Sequence, residues 1–454
     1  MTASLSSDAR TFDVQPVLDR QRRVAPHLPL LVLMTLIMLV DGYDVFMIGK
    51  IAPAMAADLG EPIANLTLVF VLQQMGLAVG SFLVGPLSDR HGRRTLLILC
   101  TLVFGVLTLA PVWASSLTEV AIYRGAAGLF LAGVIPNAAA MLTETAPPRW
   151  RASFVSIAFT GFTAGGAGGA LMAMWLLDRY GWEIGFWIGG LVPLMLAPIF
   201  ALSTDEPLQF RVRRNPADPH IRRALLRMEP DLDLARIERF RLGEDKPSSG
   251  KGSGGDVRAI FSEGRTPITL LLWLAYFIAL GLIAFLGAWM ASFFLEMAHV
   301  PLSRWAAYSL LSFVGGLAGT TTVGFLMDRL GRVRVLVALF LVDAAALLLM
   351  GTVPFGGAAF IVVTLVWGYC QAGGQGGLNA ICAQVYPTSV RASGVGWAFG
   401  MGRVGGIVMP VIGGLMLGAH ASFFQVFLLI SAFPLVVALA LVGIGRIERQ
   451  QAGS

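Results

Sequence analysis

Charge is scarce in this chain. Asp, Glu, Lys and Arg together make up 13% of its 454 residues, against about 25% in an ordinary soluble protein. Cysteine is scarcer: Cys100, Cys370 and Cys382 are the three present, each within an apolar stretch and none at metal-ligand spacing from another. That pattern excludes a disulfide framework and a zinc module. His91 and His299 fall at the edges of apolar runs and are not placed as buried proton relays. No nucleophile–base arrangement is evident. The glycine-rich runs lie inside apolar segments, unlike a phosphate loop between a strand and a helix. An enzyme is therefore not expected, and neither is a cofactor or a bound metal. The first residues, MTASLSSDARTFDVQPVLDRQRRV, are polar and carry acids, so they do not read as a cleavable signal sequence.

Apolar surface is what the chain has in quantity. It is 56% hydrophobic, with 53 glycines and a mean hydropathy of +0.74. Abundant glycine suits membrane helices that pack closely. Twelve stretches are long enough for a helical crossing, which takes roughly 20 residues. They fall at 29–52, 65–88, 95–115, 117–142, 152–176, 182–202, 268–292, 305–327, 333–352, 357–380, 392–416 and 421–445. The expectation is an all-α integral membrane protein in two six-helix bundles, 29–206 and 268–445. A charged segment over 207–267 separates them, with one or two short surface helices and a disordered Ser/Gly tract. Residues 1–28 and 446–454 remain as tails.

The net charge of +6 reads as topology signalling, not as a nucleic-acid surface, because the basic residues lie mainly between apolar runs. Arg90, Arg93 and Arg94 follow the second span, Arg149 and Arg151 the fourth, Arg329, Arg332 and Arg334 the eighth, and Arg391 the tenth. The opposite loops have Arg179 and Arg304 as their main basic residues. The positive-inside rule then puts both termini and the long segment in the cytoplasm. Two of these loops also repeat. GPLSDRHGRR at 85–94 returns as GFLMDRLGRV at 324–333, and PPRWRAS at 147–153 returns in outline as PTSVRAS at 387–393. Two matches at nearly equal offsets argue for a duplicated six-span unit.

Within this apolar background a few charges stand out. Asp41 and Asp44, three residues apart near the middle of the first span, share one helical face. A charge there is expensive unless it meets a polar cavity or a partner, so the pair points to transport. Two acids facing one cavity repel each other, which favours a shared, exchangeable proton. Lys50 lies farther along the same span, to pair with an acid, draw anions in or snorkel to the interface. Arg124, in the fourth span, is a switchable partner for Asp41 or Asp44. Arg403, in GMGRVGG of the eleventh span, would be costly if left unpaired. A planar carboxylate substrate would offset that cost by a bidentate contact; Asp343 in the ninth span is the alternative partner.

The motif GPLSDRHGRR resembles the GxLxDRxGRR signature of the major facilitator superfamily, and the resemblance covers residues 25–446. DGYDVFMIGKIAP in the first span, GVIPNAAAMLTETAP at 133–147 and GWAFGMGRVGGIVMP at 396–410 resemble its aromatic acid:proton symporters. The resemblance implies the major facilitator fold, a bacterial inner-membrane location, and proton-coupled uptake of benzoate-type acids for degradation. It marks Asp41, Asp44 and Arg124 for proton coupling. Asp89, Arg90 and Arg93, with Asp328, Arg329 and Arg332 in the second half, would gate the carrier. Glu144 would join that gate through Asp89 or Arg151.

The aromatic ring needs an apolar wall with a few directing groups; Tyr43, Trp289 and Trp397 are expected there beside Arg403, and Asn379 or Gln375 to read a ring hydroxyl. The partners are thus an aromatic carboxylate, protons and lipid, with the monomer as the working unit. The fifth span, GFTAGGAGGA at 161–170, lacks the Gly-Pro pair of drug exporters and leans toward uptake. An exporter of drugs or metabolites and a transporter-like substrate sensor are the competing readings.

Overall fold

The computed structural model describes residues 11–21, 24–228, 232, 234, 237–242, 260–262, 264–387 and 390–453. Each of the twelve apolar stretches is a long helical segment. The first six are Leu28–Asp58, Leu66–His91, Arg93–Leu109, Leu117–Leu131 with Val134–Thr145, Arg151–Trp175 and Glu183–Ser203. The second six are Thr266–Ala298, Leu302–Leu330, Arg332–Met350, Ala358–Val385, Arg391–Gly418 and Phe423–Gly453. Among the described residues, eleven helices are long and apolar enough to cross a membrane on those grounds alone. The tenth span, Ala358–Val385, is not among these eleven; Gln371, Gln375 and Asn379 dilute its apolar character without breaking its 28-residue helix. Several spans outrun their expected edges, the first to Asp58, the seventh to Ala298 and the twelfth to Gly453.

The fourth span is broken. Pro136 has no N–H to give the Ala132 carbonyl, and Gly133 turns its own N–H to Phe130 at 3.1 Å. Asn137 mends the break by donating Nδ2 to the Gly133 carbonyl at 2.7 Å, and the Ser88 hydroxyl bonds Asn137 in turn.

The duplicated loops form duplicated structure. Gly92 and Gly331 take φ of +100° and +92°, a backbone that only glycine adopts freely. Each closes the preceding helix with a 3.0 Å bond, Gly92 to the Ser88 carbonyl and Gly331 to that of Met327. Arg93 then pairs with Glu144 at 3.0 Å, while Arg332 bonds the Gln384 side chain at 2.6 Å. Arg151 donates Nε to the Ala146 carbonyl at 3.3 Å, and Arg391 to that of Tyr386 at 3.2 Å. These are the same contacts made twice by residues that correspond in the two halves, so the halves share one fold.

Glycine sets how closely the spans pack. A side chain at Gly165 would run into the Leu39 carbonyl oxygen across the first–fifth contact, and one at Gly405 into that of Phe277 across the seventh–eleventh contact. The second and eighth spans repeat the device, Gly76 against Gly125 and Gly319 against Tyr369. Gly165→Leu or Gly405→Leu should therefore cost at least about 1–3 kcal/mol through overpacking. The check is thermal unfolding in detergent, with Gly396→Ala as the control, since nothing lies within 4 Å of that position.

Between the halves, Gly49 meets Gly287, Thr67 meets Gly414 and Gln74 meets Gly406. Phe70 packs edge-on against Trp289 at 5.2 Å. These contacts lie in the part of the bundle away from the arginine loops.

At the arginine end the terminal segment and the middle segment fold together. Strand β1 (Thr11–Asp13) pairs in parallel with strand β2 (Arg239–Arg241), Phe12 opposite Phe240. Val14, Val17, Leu18, Leu208, Val212, Ile221, Leu225 and Phe240 bury one another beneath them. The two expected surface helices are present at Leu208–Arg214 and Pro219–Met228. The expected Ser/Gly tract lies outside the described residues.

Candidate functional site

The first span carries its charges in full burial. Asp44 and Arg124 are both 0% exposed and form a two-pronged pair, Nη1–Oδ1 at 2.8 Å and Nη2–Oδ2 at 2.5 Å. Thr108 of the third span completes the cluster. Its hydroxyl lies 3.4 Å from Asp44 Oδ1 and accepts from Arg124 Nη1 at 3.4 Å. The Phe186 ring centroid lies 6.0 Å from the guanidinium carbon. The paired geometry is what makes so deep a charge tolerable. The two residues open to Arg124 in the sequence resolve to one: its partner is Asp44.

Asp41, nearly one turn earlier, is buried and makes no hydrogen bond or ion pair among the described residues. It borders a small cavity with Thr101, Phe104, Leu131 and Val134 inside the first half. Across the seam it interacts electrostatically with Arg403. Arg403 is half-buried and likewise has no hydrogen-bond or ion-pair partner among the described residues. Asp343, the alternative partner, is not brought to it. Arg403 shares a helical face with Phe399 and with Gly406, which packs on Gln74 of the first half. Phe399 stacks obliquely on Tyr276 at 5.2 Å. The Tyr276 hydroxyl donates to Asn379 Oδ1 at 2.9 Å, and Gln375 Nε2 donates to the same oxygen at 3.1 Å.

The expected aromatic residues separate. Tyr43 is buried within the first half and donates its hydroxyl to the Gly185 carbonyl at 3.2 Å. Trp289 is buried at the seam, donating Nε1 to the Pro410 carbonyl at 2.8 Å. Trp397 is 43% exposed, stacks on Trp273 and shares its face with Val404, Val408 and Leu415, away from Arg403. Lys50 neither pairs with an acid nor snorkels. It donates to the Phe46 carbonyl at 3.0 Å and sits between the Phe46 and Phe313 rings, 5.8 and 5.4 Å away.

At the arginine loops, the Arg93–Glu144 pair joins the second-to-third loop to the end of the fourth span. Arg94 reaches the Ala201 carbonyl and its backbone N–H donates to Glu206 at 3.1 Å. In the second half Arg332 also pairs with Glu448 at 2.7 Å. Arg90 and Asp328 are exposed, and Arg329 lies 4.1 Å over the Phe325 ring. The Asp89 side chain lies outside the described residues.

The model of the Major Facilitator Superfamily matches residues 34–321. The chain belongs to that superfamily. Among curated members, the gallate transporter of Pseudomonas putida is 32% identical over 96% of this chain and 95% of its own. The 4-hydroxybenzoate transporter PcaK of Pseudomonas putida is 31% identical over 98% of this chain and 97% of its own. This major facilitator groups with those transporters; it is a multi-pass membrane carrier and not an enzyme. A solved D-xylose-proton symporter superposes with a TM-score of 0.70 at 16% identity, covering 91% of this chain and 97% of that one. That likeness speaks to the fold.

Two members of the site went unread in the sequence of this facilitator. Thr108 and Tyr276 sit in apolar runs with nothing local to mark them, and only the packing of separate spans gives them polar partners.

Proposed function

We propose that this carrier imports an aromatic carboxylic acid of the benzoate, hydroxybenzoate or protocatechuate type by proton symport and alternating access. The observation that carries the reading is Arg403. It is a guanidinium between the two halves with no carboxylate bonded to it among the described residues, while the other deep arginine, Arg124, is already neutralised by Asp44. A planar carboxylate matches the guanidinium fork. Phe399, backed by the buried Tyr276, offers the ring an apolar wall, and Asn379 with Gln375 offers polar groups to a ring hydroxyl.

Asp41 takes a proton as the substrate enters, which removes the negative charge that would compete for Arg403. Asp44 and Arg124 are the second, switchable element of the coupling. The arginine loops face the cytoplasm of a bacterial cell, as do both termini, and the protein sits in the inner membrane. With the halves in contact on the far side, the molecule is inward-facing. The moving bodies are residues 29–206 and 268–445, joined through 207–267, and one chain surrounded by lipid suffices. Asp89, Arg90, Arg93 and Glu144, with Asp328, Arg329 and Arg332, close the cytoplasmic side in the outward-facing state. An inward proton-motive force of 100 mV supplies ~2.3 kcal/mol per charge.

The test is uptake into proteoliposomes of benzoate, 4-hydroxybenzoate, protocatechuate, gentisate, vanillate and gallate, with the interior alkaline or at equal pH. Saturable uptake of at least one acid, lost when a protonophore collapses the gradient, is expected. Failure of every aromatic acid would sink the substrate class, and outward exchange against protons would make the carrier an exporter.

A further inference from the structure

The second half contains a fully buried acid that the coupling described above does not use. Asp343 lies mid-way along the ninth span, 0% exposed, and neither carboxyl oxygen has a hydrogen-bond partner among the described residues. The eighth, tenth and twelfth spans pack against its helix. The titratable group they bring into its field is Cys370 of the tenth span; no cation acts on it among the described residues. An ionised carboxylate without a counter-charge or hydrogen bonds does not persist in such a place, whereas a neutral carboxylic acid does.

A small cavity that Asp343 does not itself line begins one helical turn away, at Phe340. Next to Cys370, Gln371 and Gln375 line a cavity about one water molecule in size, together with Phe340, Leu282 and Val437. Phe340 is one helical turn from Asp343 on the same face. Gln375 Oε1 is buried without a hydrogen-bond partner among the described residues and so has an acceptor to spare. Its Nε2 bonds Asn379, which also accepts from the Tyr276 hydroxyl. Gln371, Gln375 and Asn379 are spaced four residues apart, so they form a polar stripe down one side of the tenth span, running from the depth of Asp343 toward the arginine end. Tyr276 then contacts Phe399, on the face of Arg403.

We propose that Asp343 is a proton-binding site of the second half, exchanging its proton with the seam at Arg403 through a water and the Gln371–Gln375–Asn379 stripe. The proton is bound at a carboxyl oxygen and released to water; no other bond changes. Each half of the carrier then holds an acid that can load with the substrate. The proposal deepens the symport reading and rests on it for its role in transport, but the site itself can be tested without any substrate.

Infrared difference spectra of the full chain in lipid, taken between acid and alkaline pH with no aromatic acid present, should show the carbonyl stretch of a buried protonated carboxyl. One component of that band should be lost in Asp343→Asn, with the Asp41 component remaining. In Gln375→Leu, which leaves the acid in place and cuts the stripe, the band should persist but shift several-fold more slowly on transfer to heavy water. In proteoliposomes carrying 4-hydroxybenzoate, the number of protons entering per substrate should fall by one in Asp343→Asn. A spectrum identical in wild type and Asp343→Asn, or an unchanged proton ratio, overturns the proposal. An unchanged deuterium shift in Gln375→Leu overturns the route. If no aromatic acid is transported at all, the substrate assignment fails while the infrared result still decides the site.

Discussion

Replacing Arg403 with Gln is expected to reduce binding and uptake of the aromatic acid by at least about thirtyfold, and to leave the fold intact. The direction follows from what the residue touches. A buried guanidinium already paired within the protein would leave an orphaned carboxylate when removed, and the protein would lose stability. Arg403 has no such bonded partner among the described residues, so its removal leaves little unpaired in the empty carrier. The loss appears only when substrate arrives. Truncating one member of a desolvated, hydrogen-bonded charge pair costs about 2–5 kcal/mol, which is tens- to thousands-fold in affinity.

Arg403→Lys keeps the charge but not the planar fork. It should recover part of the affinity and lose discrimination among ring-substituted acids. The competing explanation is that Arg403 serves mainly as counter-charge to Asp41, with which it interacts across the seam. The double variant Asp41→Asn/Arg403→Gln separates the two. Calorimetric binding of 4-hydroxybenzoate to the double variant should stay as weak as to Arg403→Gln. Recovery of wild-type affinity would make the arginine a neutraliser of Asp41 and remove it from the substrate.

The ease of reading the fold and the difficulty of reading the site have one physical cause. A membrane span announces itself locally, because some twenty consecutive residues must be apolar. The span edges were less legible, since helices such as Leu28–Asp58 and Thr266–Ala298 continue past the apolar core into the interface. The β1–β2 pairing left no signal: three-residue strands have no period to detect, and their partners lie at opposite ends of the first half of the chain.

At the site, charged residues are conspicuous because their cost in hydrocarbon is high, which marks Asp44; Arg124 stands out through the superfamily resemblance. Their mutual choice was not legible, because it depends on how the first and fourth spans are rotated. The aromatics show the same limit. Trp289 and Trp397 are alike in sequence context, yet one is sealed at the seam and the other shares a face with exposed valines.

The Asp44–Arg124 pair yields the second large effect. Asp44→Asn should strand a fully buried guanidinium, and Arg124→Gln a fully buried carboxylate. Each single variant is expected to lose about 3–5 kcal/mol of stability, read as a large drop in thermal unfolding temperature in detergent. The double variant Asp44→Asn/Arg124→Gln removes both charges together and can keep a neutral amide contact. It should lose far less than the sum of the two single losses, the signature of direct coupling.

Stability alone would be compatible with a static strut. What argues for a switch is the third member: the Thr108 hydroxyl lies 3.4 Å from both Asp44 Oδ1 and Arg124 Nη1, and the Phe186 ring stands near the guanidinium. When Asp44 takes a proton, Arg124 keeps an acceptor and an aromatic face, so the pair can open without leaving the cation bare. The double variant should therefore fold and exchange labelled 4-hydroxybenzoate across the membrane at equal pH, yet fail to accumulate it against a gradient. Thr108→Val should slow gradient-driven uptake several-fold while changing stability by less than either single charge variant. Full accumulation by the double variant would show that the pair only braces the first span against the fourth, and would leave Asp41 as the proton site of the first half.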